Sequence, residues 1–143
     1  MQDSEVNRLV LSFAKLRPTT SDKPVAERLQ VKGRRRLAVI GAPPGLERTI
    51  GAREARCDVS EADVVLVFAP DRARLDALLP SALAKAPASA ILWLAYPKLT
   101  SRPAADLSRD IIHALAPKHG LDTVSQIAID EDWSALRLKR VVR

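Results

Sequence analysis

The sequence predicts an α/β fold: a three-layer sandwich whose mainly parallel sheet carries helices on both faces and ends in a C-terminal antiparallel hairpin. Three observations carry this. The runs Leu37–Gly41, Asp63–Ala69 and Ala90–Tyr96 are almost without polar residues, as strands covered on both faces are. Stretches of helical periodicity separate these runs, and strand-helix alternation makes parallel crossovers. Near the end, Val124–Ile129 and Ser134–Val141 both read as strands, and the gap between them is too short for a crossover, so they pair as a hairpin.

The 143 residues are 47% hydrophobic and 28% charged, a globular balance that excludes wholesale disorder and suits one compact body. No apolar run approaches the roughly 18 residues that a membrane-spanning helix needs. Met1–Glu5 has neither the basic nor the apolar stretch of a secretory leader, so a cytoplasmic location and no membrane partner are expected. The one cysteine, Cys57, excludes an internal disulfide framework and a multi-cysteine metal cluster. The net charge of +6 makes a basic protein, suited to an anionic partner.

Along the chain, residues 1–23 are expected to be an N-terminal helical extension and linker, and residues 24–143 a single domain. In the extension Val6, Leu9, Val10 and Phe13 share one helical face, and Thr19–Asp22 reads as the linker. Pro24–Leu29 suits a short helix with proline in its first turn. Leu37–Gly41 runs through the turn Ala42–Gly45 into a short helix ending at Ile50, and a weaker strand is expected around Ala55–Val59. Asp71 is placed to cap a helix with the apolar face Leu75, Leu78, Leu79, Ala82 and Leu83, which Pro80 is expected to kink or split. After the loop Pro97–Ala104, a helix carrying Leu107, Ile111, Ile112 and Leu115 stops at His119-Gly120, where glycine suits the left-handed end. Ser134–Val141 alternates polar and apolar residues, as a half-exposed edge or antiparallel strand does.

The succession Asp63–Val67, a leucine-rich helix, Ile91–Leu94 and a terminal hairpin resembles the second half of a Rossmann-like, S-adenosylmethionine-methyltransferase-like scaffold, here in truncated form. More narrowly, Tyr96-Pro97-Lys98, Asp106-Leu107-Ser108-Arg109-Asp110 and Ile129-Asp130-Glu131-Asp132-Trp133-Ser134-Ala135-Leu136-Arg137 occur in that order. They resemble the YPK, DLxRD and VDxxWSxLRF blocks of a family of small bacterial proteins, a domain of unknown function. That resemblance implies a bacterial origin and a small Rossmann-like domain, and it carries no activity.

Three places could support chemistry. The turn Gly41-Ala42-Pro43-Pro44-Gly45 stands where dinucleotide and S-adenosylmethionine sites put a glycine-rich loop. Two adjacent prolines remove amide donors from it, the G-x-G-x-x-G spacing is missing, and no acidic residue clearly ends a second strand, so no cofactor is expected. The second place is the carboxyl edge of the parallel strands, where ligands of open sheets bind. Tyr96, Lys98, Asp106, Arg109, Asp110, Asp130 and Trp133 are expected to gather there beside Gly41 and Gly45. Lys98 offers a compact cation, Arg109 a forked donor and the aspartates acceptors, suiting an anionic small molecule or a polar peptide segment. The same residues would also serve as a clasp, Asp106 capping a helix, Arg109 pairing with Asp110 or Asp130, and Trp133 covering the sheet end. The third place is basic: Lys32, Arg34, Arg35 and Arg36 before the first strand, and Arg137, Lys139, Arg140 and Arg143 at the end. Such a stripe grips phosphates, although aromatic residues, at 3%, leave little for base stacking.

His113 and His119 are six residues apart and face different sides of their helix, so no metal site is expected. Cys57, between Arg56 and Asp58, is expected as a small buried residue, with a lowered thiol pKa as the alternative. The reading that follows is a non-catalytic domain binding a small molecule or a protein partner, built on a degenerate methyltransferase-like fold. Its alternatives are a small enzyme acting on an anionic metabolite through Lys98, Arg109, Asp110 and Asp130, and a weak electrostatic binder of nucleic acid.

Overall fold

A computed structural model describes residues 23–98 and 106–141; the expected N-terminal helix, its linker and most of the Pro97–Ala104 loop lie outside them. Five strands form one sheet: β1 (Leu37–Ile40), β2 (Val64–Phe68), β3 (Ile91–Pro97), β4 (Leu121–Ala128) and β5 (Trp133–Arg140). Their order is β1-β2-β3-β5-β4, with β1, β2 and β3 mutually parallel and β5 antiparallel to both β3 and β4.

Alternation along each strand divides the core in two. Val65, Val67, Leu92, Leu94, Leu136 and Leu138 face α3 (Arg72–Lys85) and α4 (Arg109–Leu115). Leu66, Phe68, Trp93, Ala95 and Ala135 face α1 (Val25–Arg28) and α2 (Leu46–Ile50). The indole N–H of Trp93 donates to the Leu29 carbonyl at 2.9 Å, pinning the end of α1 over the middle of the sheet. Arg28 reaches further, donating to the Ala128 carbonyl at the end of β4 at 2.7 Å.

Four sequence-based expectations need correction. The weaker strand reduces to one parallel bridge, Arg56 beside Leu37, with the Cys57 N–H donating to the Leu37 carbonyl at 3.0 Å. β1 is buried at Leu37 and Ala38 and only half-buried at Val39 and Ile40, because this short strand is the sheet margin. Pro80 does not split α3, which runs unbroken and capped by the Asp71 carboxylate. Pro80 lies on the exposed face, where water can reach the carbonyl that loses its partner. β5 is antiparallel, one of the two expected possibilities, but not a half-exposed edge: it is interior, with four buried residues at its start, and β4 is the edge. The polar positions of β5 are accommodated individually: Arg140 caps α3 from below, donating to the Leu83 and Ala86 carbonyls at 3.0 and 3.4 Å.

Candidate functional site

Three elements meet at the carboxyl end of β3. Tyr96 faces α3 and α4 and sits opposite Ser134 in the β3–β5 ladder, so pleating puts both hydroxyls on one side. Both residues are buried, and the Ser134 hydroxyl is near enough to favour the ionised phenol. α4 starts beside them. Ser108 is its N-cap, the Oγ accepting the Ile111 N–H at 3.2 Å, and this sets how Arg109 and Asp110 leave the first turn. β4 adds Gln126, opposite Leu136. Together with Lys98 these side chains line a cavity of about 300 Å³. An adjoining cavity of about 410 Å³ shares Arg109, Asp110 and Gln126 and extends to His113, whose Nδ1 is 2.6 Å from Thr123 Oγ1. The result is one polar groove between α4 and the β4–β5 hairpin.

Burial pushes the Tyr96 phenol above its ordinary value; the Arg109 guanidinium and the Ser134 hydroxyl oppose this, and Asp110 reinforces it. The folded protein therefore holds this proton longer than the unfolded chain. The stability so supplied is fully present below the unfolded value, near pH 10, and is lost as pH rises through the folded one. Tyr96 is the one tyrosine of the chain, so its titration is directly readable. Tyrosinate absorbance is expected to develop at higher pH than for free tyrosine and together with loss of circular dichroism. An ordinary titration in a folded chain would contradict the burial.

The structure brings Tyr96, Lys98, Arg109 and Asp110 together in the lining, holds Asp130 against Lys98, and places Asp106, Trp133, Gly41 and Gly45 outside the lining. Lys98 Nζ donates to the Asp130 carbonyl at 2.8 Å and the Lys98 N–H to the Asp132 carbonyl at 2.8 Å, so this lysine also ties β3 to the hairpin turn. The Asp130 carboxylate is turned inward: Oδ1 accepts the N–H groups of Asp132 and Trp133, both at 2.8 Å. Asp106 Oδ1 accepts the Arg72 N–H at 2.8 Å, serving the start of α3. Trp133 precedes Ser134 in β5 and so points to the opposite face of the sheet, where its ring meets Phe68 edge-on at 5.3 Å. The expected pairing of Arg109 with Asp110 is present, loosely, at 3.7 Å and exposed.

Gly41 and Gly45 are not beside this groove. β2 lies between β1 and β3, which separates the turn from β3 by two strand spacings, about 10 Å. Gly41 has φ +74°, and a Cβ there would stand 3.2 Å from the Phe68 carbonyl oxygen and 3.4 Å from Leu78 Cδ1, so local packing accounts for this glycine. Beyond the turn, Arg56 pairs with Glu47 at 2.8 Å and donates to the Gly51 carbonyl at 3.0 Å, lacing α2 to the segment beside β1.

Sequence reasoning missed Ser108, Gln126, Ser134, His113 and Thr123 as groove residues. A serine just ahead of an apolar helical run is a legible N-cap. Ser134 and Gln126 become visible only once the register is known. Cys57 is half-buried, not the buried residue expected; desolvation still raises its thiol pKa, with Arg36 opposing, so the lowered alternative is not what the surroundings produce. Among the described residues no three histidine, cysteine or acidic side chains are grouped to hold a metal.

No protein-family model matches this sequence, and no curated protein matches it. Solved structures do. The mitomycin 7-O-methyltransferase MmcR superposes with a TM-score of 0.51 at 13% identity over 82% of this chain, which spans about half (53%) of that protein. The M1A22 tRNA methyltransferase TrmK of B. subtilis gives 0.50 at 10% identity, over 85% of this chain and 68% of TrmK. At such identities the likeness is one of fold. This chain has a methyltransferase-like, Rossmann-like fold.

Proposed function

We propose that this chain is a binding domain built on a methyltransferase-like sheet, and that the groove at the end of β3 takes a small anionic molecule. The observation that carries the reading is the lining: the Tyr96, Ser108 and Ser134 hydroxyls, with Lys98 and Arg109, around about 300 Å³. That volume is at the lower bound of small-molecule sites. Arg109 supplies a forked donor suited to a carboxylate or phosphate, and the hydroxyls donate or accept as the ligand requires. The three blocks resembling the domain of unknown function also meet here, one at Tyr96–Lys98, one at Asp106–Asp110 and one through the hairpin. A catalytic reading would need a base. The Asp130 Oδ1 already accepts two backbone amides, the Asp110 side chain is 90% exposed, and the His113 ring is engaged by Thr123 in the adjoining part of the groove, which supports binding over turnover.

The test is a thermal-shift screen against phosphorylated and carboxylated metabolites, nucleotides, S-adenosylmethionine and its demethylated product. A ligand at a hundred times its Kd adds about 2.7 kcal/mol, which raises Tm by several degrees. An anionic compound is expected to give such a shift in the native chain and none in Arg109→Ala, whose unliganded Tm stays close to native because the residue is exposed. A shift that survives Arg109→Ala, or no shift across the anions, would overturn the assignment.

A further inference from the structure

The charge of this chain is concentrated in one stretch. Residues 28–56 hold eight of the 23 lysines and arginines against two acidic residues, Glu47 and Glu54; the other fifteen cations are matched by fifteen acids. The whole excess of +6 therefore belongs to the end of α1, β1, α2 and the segment that follows. Apart from Arg28, which reaches across the sheet to the Ala128 carbonyl of β4, the cations of that stretch belong to β1, α2 and the segments beside them, at the β1 margin of the sheet and away from the groove. There the bridge of Arg56 to Leu37 lays the turn Arg53–Ala55 alongside the start of β1, and Arg36 donates to the Arg56 carbonyl at 2.9 Å. Lys32, Arg34, Arg35, Arg36 and Arg53 thus surround one end of one strand, all exposed, and outnumber the acids beside them, Asp58, Glu61 and Asp63, of which Asp63 accepts the Arg36 N–H at 2.8 Å. Among the described residues the ion pairs of this stretch are Arg56 with Glu47, and Arg36 with Glu61 at a loose 3.8 Å.

We infer that this margin binds the sugar-phosphate backbone of a double-stranded nucleic acid without reading its sequence. A row of lysines and arginines neutralises successive phosphates and releases their counterions, which is the main source of non-specific affinity for a duplex. Among the described residues the aromatic side chains favour a duplex over a single strand, because Phe68, Trp93, Tyr96 and Trp133 are all buried and offer no stacking platform. Arg137 and Arg140 are not part of this surface: Arg140 caps α3, and Arg137 lies opposite Trp93 on a strand three places from β1.

The experiment is fluorescence anisotropy of the full chain with short DNA and RNA duplexes of mixed sequence, from about 50 to 200 mM salt. With four phosphates neutralised, affinity is expected to fall on the order of a hundredfold over that range, similarly for unrelated sequences. The triple change Lys32→Glu, Arg34→Glu, Arg53→Glu is expected to abolish binding while circular dichroism and Tm stay native. Arg74→Glu with Lys118→Glu and Lys139→Glu, an equal change of net charge elsewhere, is expected to weaken it only modestly. If the first triple variant is misfolded, the milder glutamine set at the same positions replaces it and is expected to lose at least tenfold. Absence of duplex binding at 50 mM salt, equal losses in the two sets, or binding to phosphatidylserine vesicles but to neither duplex would each overturn the inference. DNA and RNA arms that differ would name the duplex.

Discussion

Trp133→Ala is expected to destabilise the fold by about 3–5 kcal/mol, the largest loss of any single groove-end substitution. The indole is 7% exposed and closes the α1/α2-side core together with Ile129, Ala135 and Phe68. Its ring stands edge-on to Phe68, with 5.3 Å between centroids and 65° between planes, a geometry worth about 0.5–1.5 kcal/mol beyond the area it buries. The backbone hydrogen bonds of Trp133 to Asp130 and Ile129 survive the change, so the loss reports the side chain. Urea unfolding checks this: the midpoint should fall with the slope unchanged. A double-mutant cycle with Phe68→Leu isolates the ring pair, and a coupling near zero would show that the two rings act separately. A loss under about 1 kcal/mol would mean that the indole does not close the core.

The same residue shows what the sequence could and could not say. The hydrophobic runs of β2 and β3 are legible because parallel strands covered on both faces leave no polar positions, and Asp71 is legible because its carboxylate sits at the expected distance from a helical N–H. The order of strands is different. β5 looked peripheral because Arg137, Lys139 and Arg140 interrupt it, yet it lies between β3 and β4. Arg140 can occupy that place because its head reaches the carbonyls ending α3. Which acids face a ligand is equally hidden. Asp106, Asp110 and Asp130 all follow strands or open helices at one edge, and only Asp110 lines the cavity, since local turn amides claim Asp130 and the distant Arg72 amide at the start of α3 claims Asp106. An aspartate two and three residues ahead of the amides it accepts is a turn signal in its own right. Trp133 and Ser134 are adjacent, so one must face each side of the sheet, and the sequence does not say which until Tyr96 fixes the register.

Asp130 offers the sharpest separation of a structural carboxylate from a chemical one. Asp130→Ala is expected to destabilise by about 2–3 kcal/mol, because two backbone N–H groups in the hairpin turn lose a charged acceptor at once. The damage should reach the groove, since Lys98 Nζ is held by the carbonyl of that same residue. Asp130→Asn keeps an oxygen where Oδ1 now stands and should lose about 1 kcal/mol or less, as a neutral acceptor replaces a charged one. The two variants then order themselves by turn geometry: the ligand-induced Tm shift should be near native in the asparagine variant and reduced in the alanine variant. A carboxylate acting as a base gives the opposite pattern. Asparagine would then preserve stability and abolish function as completely as alanine does, and Asp130 would pass from the turn to the chemistry. Measuring Tm and ligand response side by side in both variants decides between these, because only a structural role makes the two readouts fall together.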